Sequence, residues 1–178
     1  MSVLYEQYKN EIRPELLGGE KYTNLHEVPK LEKIVLSTGI GTDQNRDVFD
    51  ECVKLYADIT GQKAMITKSK KAVASFKLRE DVNVGVTVTM RNKRMYDFYY
   101  RLVNIALPRV RDFRGVNPKS FDGFGNYTFG VTEQSIFTEV NLDNMKNTIG
   151  MNITFVTSAS NNEDAFELLK MLGMPFAK

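Results

Sequence analysis

Residues 82–91 run Val-Asn-Val-Gly-Val-Thr-Val-Thr-Met-Arg, and their alternation decides the fold class. In an extended chain Val82, Val84, Val86, Val88 and Met90 fall on one face, and Asn83, Gly85, Thr87, Thr89 and Arg91 on the other. A strand with one apolar and one polar face belongs to an antiparallel sheet covered on one side only. Helices must supply the cover, and both flanks contain them. Downstream, Asn92 is placed to cap a helix that buries Met95, Phe98, Leu102, Ile105 and Ala106 and ends before Pro108. Upstream, Val48, Phe49, Cys52, Val53, Tyr56 and Ile59 form the stripe of a helix capped by Thr42 or Asp43 and stopped by Gly61.

Further out the same two periodicities recur. Residues 31–40 predict a strand with Ile34, Leu36, Thr38 and Ile40 opposite Lys33, Val35, Ser37 and Gly39. Residues 64–67, 127–133 and 150–157 predict three more, the last with Met151, Ile153 and Phe155 on one face. Between the last two, 139–148 is polar and looped. Leu4, Tyr8 and Ile12 open the chain as an amphipathic helix ending between Pro14 and Gly19. Phe166, Leu168, Leu169 and Leu172 close it, with Asn161 or Asn162 as cap and Gly173 as stop. The order predicts an α+β fold: one domain over 1–178, an antiparallel sheet with helices packed on one face. The bare polar face is left to a partner.

A chain of 178 residues, 42% of them hydrophobic, buries one substantial core. No apolar run reaches the roughly 20 residues of a membrane helix, and the charged start MSVLYEQYKNEIRPE is unlike a signal peptide, so the expected compartment is the cytoplasm. The lone Cys52 excludes an internal disulfide and any multi-cysteine zinc site, and its helical spacing assigns it to the core.

The net charge of +2 hides an uneven distribution. From Lys63 to Arg114 thirteen Lys/Arg stand against four acids, so this third carries +9 and the remainder −7. Six cations and no acid lie between Lys63 and Arg79. Beside this basic run, the polar face offers Asn83, Thr87, Thr89 and Arg91 with Lys33 and Ser37, and Phe76 offers a stacking ring. Donors, cations and a ring on a sheet are the chemistry that holds RNA. A second segment, 107–139, sets Arg109, Arg111, Arg114 and Lys119 among Gly115, Gly123, Gly125 and Gly130, with Phe113, Phe121, Phe124, Tyr127 and Phe129 divided between packing and contact.

Catalysis has little to work with. His26 stands alone, and no serine or cysteine has an activating context. Asp43, Asp47, Asp50 and Glu51 read as a solvated helix start that favours the dipole, so no metal and no cofactor is expected. Ser37–Asp43 carries Gly39 and Gly41 into a helix start, as nucleotide-binding turns do, but Gln44 stands where a third glycine belongs. The two glycines read as a tight turn, and a nucleotide-dependent enzyme is the weaker alternative.

The segment LPRVRDFRGVNPKSFDGFGNYTFGVTEQ (107–134) resembles the signature of the bacterial large-subunit ribosomal protein L5 family. KLEKIVLSTGIG (30–41), ITGQKAMITKSKKAVASFKLRE (59–80), GMNITFVTSA (150–159) and ELLKMLGMPF (167–176) match it in the same order. The resemblance implies a fold similar to RNA-recognition and ferredoxin-like domains, in a ribosomal protein seated on 5S rRNA in the central protuberance, beside 23S rRNA and other 5S-associated proteins. It implies 5S rRNA contacts at Lys33, Ser37, Gln62, Lys63, Phe76, Thr89 and Arg91. It implies a loop with Lys70, Lys71, Ser75, Lys77 and Arg79 near the peptidyl-site tRNA. Arg109, Arg111, Arg114, Lys119 and Phe124 match a surface that meets a small-subunit head protein in an inter-subunit bridge. Ser37 and Phe124 depart from the family's usual asparagine and arginine, shortening one polar contact and removing one cation.

Overall fold

A computed structural model describes residues 2–19, 21–41, 46–141, 145 and 147–177, with Arg46 as backbone only. The Thr42 or Asp43 cap, the Gln44 position and part of 139–148 lie outside them. Five strands, β1 (Leu31–Gly39), β2 (Met65–Lys68), β3 (Asn83–Met90), β4 (Tyr127–Val131) and β5 (Met151–Thr157), form one antiparallel sheet in the order β2-β3-β1-β5-β4, with helices packed on it. The helices are α1 (Val3–Gln7), α2 (Arg13–Gly18), α3 (Arg46–Thr60), α4 (Asn92–Arg101) and α5 (Asn162–Met171). Without β4 the order is that of two interleaved split β-α-β units, β1-α3-β2 and β3-α4-β5, the ferredoxin-like arrangement expected.

Two compact units divide the chain: Met1–Ile34 with Met90–Phe129 and Thr154–Lys178, and Val35–Thr89 with Gly130–Ile153. In the second, alternation does what it predicts over 35–38 and 86–89, whereas Ile40 and Val84, expected on the packed face, are half-open and Val82 is exposed. Leu36 and Thr38 of β1 and Val86 and Val88 of β3 are buried, while Val35, Ser37, Thr87 and Thr89 remain half-open. Thr38 survives on the apolar face because its hydroxyl donates to the Gly150 carbonyl. The Ile40 N–H donates to the Val84 carbonyl (2.9 Å), which fixes the register and sets Ser37 across from Thr87. β2 pairs antiparallel with β3, Met65 facing Thr87 and Lys68 facing Asn83. The α3 stripe is Val48, Phe49, Cys52, Leu55, Tyr56 and Ile59; Val53 sits half-open at its margin and Leu55 takes the core place expected of it.

In the first unit Leu4, Tyr8 and Ile12 are buried as the spacing predicts. The helical run passes Pro14 and ends at Gly18, inside the expected span. Pro14 lacks the N–H for an ordinary turn, and a π turn over Tyr8–Ile12 carries the chain into α2. α4 likewise passes through a π turn (Leu102–Ala106) and a 3₁₀ turn (Leu107–Arg109) that takes in Pro108. The wider π turn alters the phase, so Ala106 and Leu107 are buried while Ile105, expected in the core, is exposed. Asn92 is not the cap of α4. Arg91 holds that position in extended conformation, and Asn92 takes φ 53°, a left-handed geometry that asparagine tolerates. α5 has Asn161 at its cap without a side-chain bond, and Gly173 stops it at φ 88°.

Candidate nucleic-acid interface

The basic run between β2 and β3 is a folded hairpin. Beyond Lys68 and Asn83, Ser69 N–H donates to the Val82 carbonyl (2.9 Å) and the Ser69 hydroxyl to the Arg79 carbonyl. Farther out Val73 and Leu78 exchange both backbone bonds, at 2.9 and 3.0 Å. The tip closes through a 3₁₀ turn, Ala74–Phe76, and Lys77 at φ 51°. Lys70, Lys71, Ser75, Lys77 and Arg79 are all exposed, and Phe76 is 73% exposed. Among the described residues none of these four cations forms an ion pair. An exposed ring beside unpaired cations suits stacking on a base and neutralising its phosphates. Phe76 thus stands with Ser75 and Lys77 at the tip, several residues from the strand positions with which it was grouped.

The strand positions divide by unit. In the second, Ser37 and Thr89 are half-open, Gln62 is half-open in the turn after Gly61 (φ 67°), and Lys63 beside it is exposed. Thr87 is less available than the alternation implies, because its hydroxyl donates to the Leu36 carbonyl (3.1 Å) and keeps only its acceptor sites. Gly85 is buried and offers backbone alone. In the first unit Lys33 is half-open and Arg91 exposed.

The segment 109–127 also has a built geometry, again within the first unit. Ser120–Asp122 and Asn126–Thr128 pair as a second small hairpin, with Thr128 N–H to the Ser120 carbonyl at 3.2 Å. Gly123 (φ 95°) and Gly125 (φ 78°) make its turn. Both of their N–H groups donate to Asn162 Oδ1, at 3.1 and 3.2 Å, so Asn162, expected to cap its own helix, caps this turn instead. Asp122 Oδ1 accepts from Phe124 and Asn126 N–H, and Oδ2 from the Asn126 amide; that amide and those N–H groups hold the carboxyl below its usual range. The aromatics separate cleanly. Phe121 and Tyr127 pack against each other and Phe176, Phe129 packs on Phe155, Phe113 is half-buried, and Phe124 projects 76% exposed at the tip. Arg109, Arg111, Arg114 and Lys119 are exposed.

Neither enzyme feature gains support. His26 is exposed in a loop, and burial, with Glu51 beside it, pushes the Cys52 thiol up to about 11. Gly39 and Gly41 have no positive φ and, among the described residues, nothing near a notional Cβ; the turn beyond Gly41 lies outside those residues.

Two family models cover this geometry: one for ribosomal protein L5 over residues 24–79, and one for the C-terminus of the same ribosomal family over 83–176. The chain is 51% identical to large ribosomal subunit protein uL5 of Halothermothrix orenii over 99% of both chains. It is 52% identical to that of Macrococcus caseolyticus over the full length of both. The chain belongs to the ribosomal L5 family. It is therefore a large-subunit ribosomal protein, structural rather than enzymatic, whose relatives work in the cytoplasmic ribosome. No helix among the described residues is long and apolar enough to cross a membrane. Residues 80–82 separate the two L5 matches, a turn with Asp81 at φ 62° just before β3.

Sequence reasoning missed Asn162 and Asp122, which fix the Phe124 turn. The Asp122-Gly-Phe-Gly-Asn126 spacing carries an Asx-turn signal for Asp122; nothing local announces Asn162.

Proposed function

We propose that this L5 protein binds 5S rRNA and helps attach it in the central protuberance of the large subunit, with 23S rRNA and neighbouring 5S-associated proteins around it. Lys33, Ser37, Gln62, Lys63, Thr89 and Arg91 meet 5S rRNA, the cations on phosphates and the hydroxyls and amide on polar edges. Lys70, Lys71, Ser75, Lys77 and Arg79 face the peptidyl-site tRNA. Phe76 is shared between the two proposals: the resemblance gives it to 5S rRNA, and its place at the hairpin tip favours the tRNA. Arg109, Arg111, Arg114, Lys119 and Phe124 face a small-subunit head protein in a bridge between the subunits.

One observation carries this assignment: six cations without an acid between Lys63 and Arg79, most of them displayed on a folded hairpin that ends in an exposed ring. A solvated surface would intersperse the two signs and bury the phenylalanine. In a filter-binding titration with 5S rRNA, Lys63→Ala is expected to weaken affinity several-fold and reduce the salt slope by about 1, whereas Lys54→Ala on exposed α3 changes neither. Equal effects would remove Lys63 from the RNA contact. Joint alanine replacement of Arg109, Arg111 and Arg114 is expected to leave 5S binding intact and impair subunit association. The opposite pattern would exchange the two roles.

A further inference from the structure

The N-terminal helices read as packing elements, yet in the first unit they wall a cleft of about 860 Å³ that none of the proposed contacts uses except at its Arg91 rim. Arg13, Lys30, Arg91 and Lys93 line it against one acid, Glu32. Its shape is held by two bonds from the helical run to the loop opposite: Tyr8 hydroxyl to the Pro29 carbonyl (2.9 Å) and Arg13 Nη2 to the Leu25 carbonyl (3.0 Å). Arg13, Lys30, Arg91 and Lys93 make no ion pair among the described residues.

Aromatic rings stand among these charges. Tyr5, 41% exposed, lies 5.2 Å centroid to centroid from Tyr96, and both line the cleft. Tyr96 is 4% exposed, and its hydroxyl makes no hydrogen bond among the described residues. Burial pushes that phenol up, as do the neighbouring phenols of Tyr8 and Tyr5, so it stays protonated, and its oxygen, unlike those of Tyr22 and Tyr56, is not sealed off from the cleft.

We infer that this cleft holds one unpaired nucleotide of an RNA strand, its base against Tyr5, its phosphates among Lys30, Lys93 and Arg13, and an oxygen of the nucleotide accepting from Tyr96. The volume falls in the range of small-molecule pockets, too small for a duplex and roomy for a splayed-out nucleotide. An acidic peptide would satisfy the cations but leave the exposed ring without a flat partner. The inference rests on the proposed RNA-binding function only for its ligand class, and the site is separate from the strand positions proposed for 5S rRNA except at Arg91.

The test titrates the full chain with unpaired pentaadenylate and, in parallel, with 5S rRNA. Tyr5→Leu, which keeps bulk but loses the ring, and Lys93→Ala are each expected to weaken pentaadenylate binding about tenfold. Tyr96→Phe, which preserves packing, weakens it several-fold, and all three leave 5S affinity within about twofold. Pentaadenylate affinity unchanged in all three variants overturns the inference. Parallel loss of 5S affinity overturns the separateness of the site, and displacement by hexaglutamate at equal concentration overturns RNA as the occupant. Failure of the wild-type chain to bind 5S rRNA while these variants still lose pentaadenylate would sink the proposed function and leave the cleft standing.

Discussion

A side chain at position 85 has nowhere to go, because a Cβ there would overlap the carbonyl oxygen of Thr38 on the neighbouring strand. Gly85→Ala is therefore expected to cost about 1–3 kcal/mol and lower the thermal midpoint by about 2–4 °C for each of them. Gly39→Ala, with open space around it, should stay within about 0.5 kcal/mol in the same thermal scan. Glycine inside an alternating strand warns of a close approach, but the sequence does not say which backbone approaches. The same holds for Thr38, which the alternation rightly places on the apolar face; its acceptor, the Gly150 carbonyl, lies 112 residues away.

At the scale of elements, legibility follows the range of the forces. Strand faces and helix stripes arise from neighbours two to four residues apart, and β1, β3, β5 and α3 can be read directly from spacing. Helix starts cannot, because asparagine bonds whatever N–H is nearest in space. Asn162 reaches Gly123 and Gly125, 39 and 37 residues away, and leaves its own helix uncapped by a side chain. Asn162→Ala should accordingly do little to α5 and loosen the Phe124 turn, at a cost of about 1 kcal/mol. Limited trypsin digestion checks this: cleavage after Lys119 should accelerate in the variant, and an unchanged rate would show that Asp122 alone holds the turn. The π turns escaped prediction for a related reason, since each depends on how a helix must rotate to keep packing once a proline intervenes or follows.

For the molecule as a whole, the division of charge decides more than its sum. A net +2 predicts weak attraction to RNA, but a +9 centre set within −7 confines it to chosen surfaces. If Lys33, Lys63 and Arg91 are the 5S rRNA contacts, the log–log dependence of affinity on salt should have a slope near −3. A slope near −7 would add Lys70, Lys71, Lys77 and Arg79 to the same RNA and withdraw them from the tRNA. The partners themselves were legible only through resemblance: spacing exposes a bare polar face and a basic hairpin, and neither records the shape of the RNA that fits them.

The central place of β1 in the sheet carries a consequence for birth on the ribosome. Its neighbours are β3, made some 50 residues later, and β5, which ends at Thr157. A growing chain thus holds its middle strand with one flank open until the last strand emerges, and the native sheet cannot close by stepwise addition from the N-terminus. Sheet closure is in this sense a late event of synthesis: RNA contacts that need β1 fully seated wait for a strand synthesised more than a hundred residues after it.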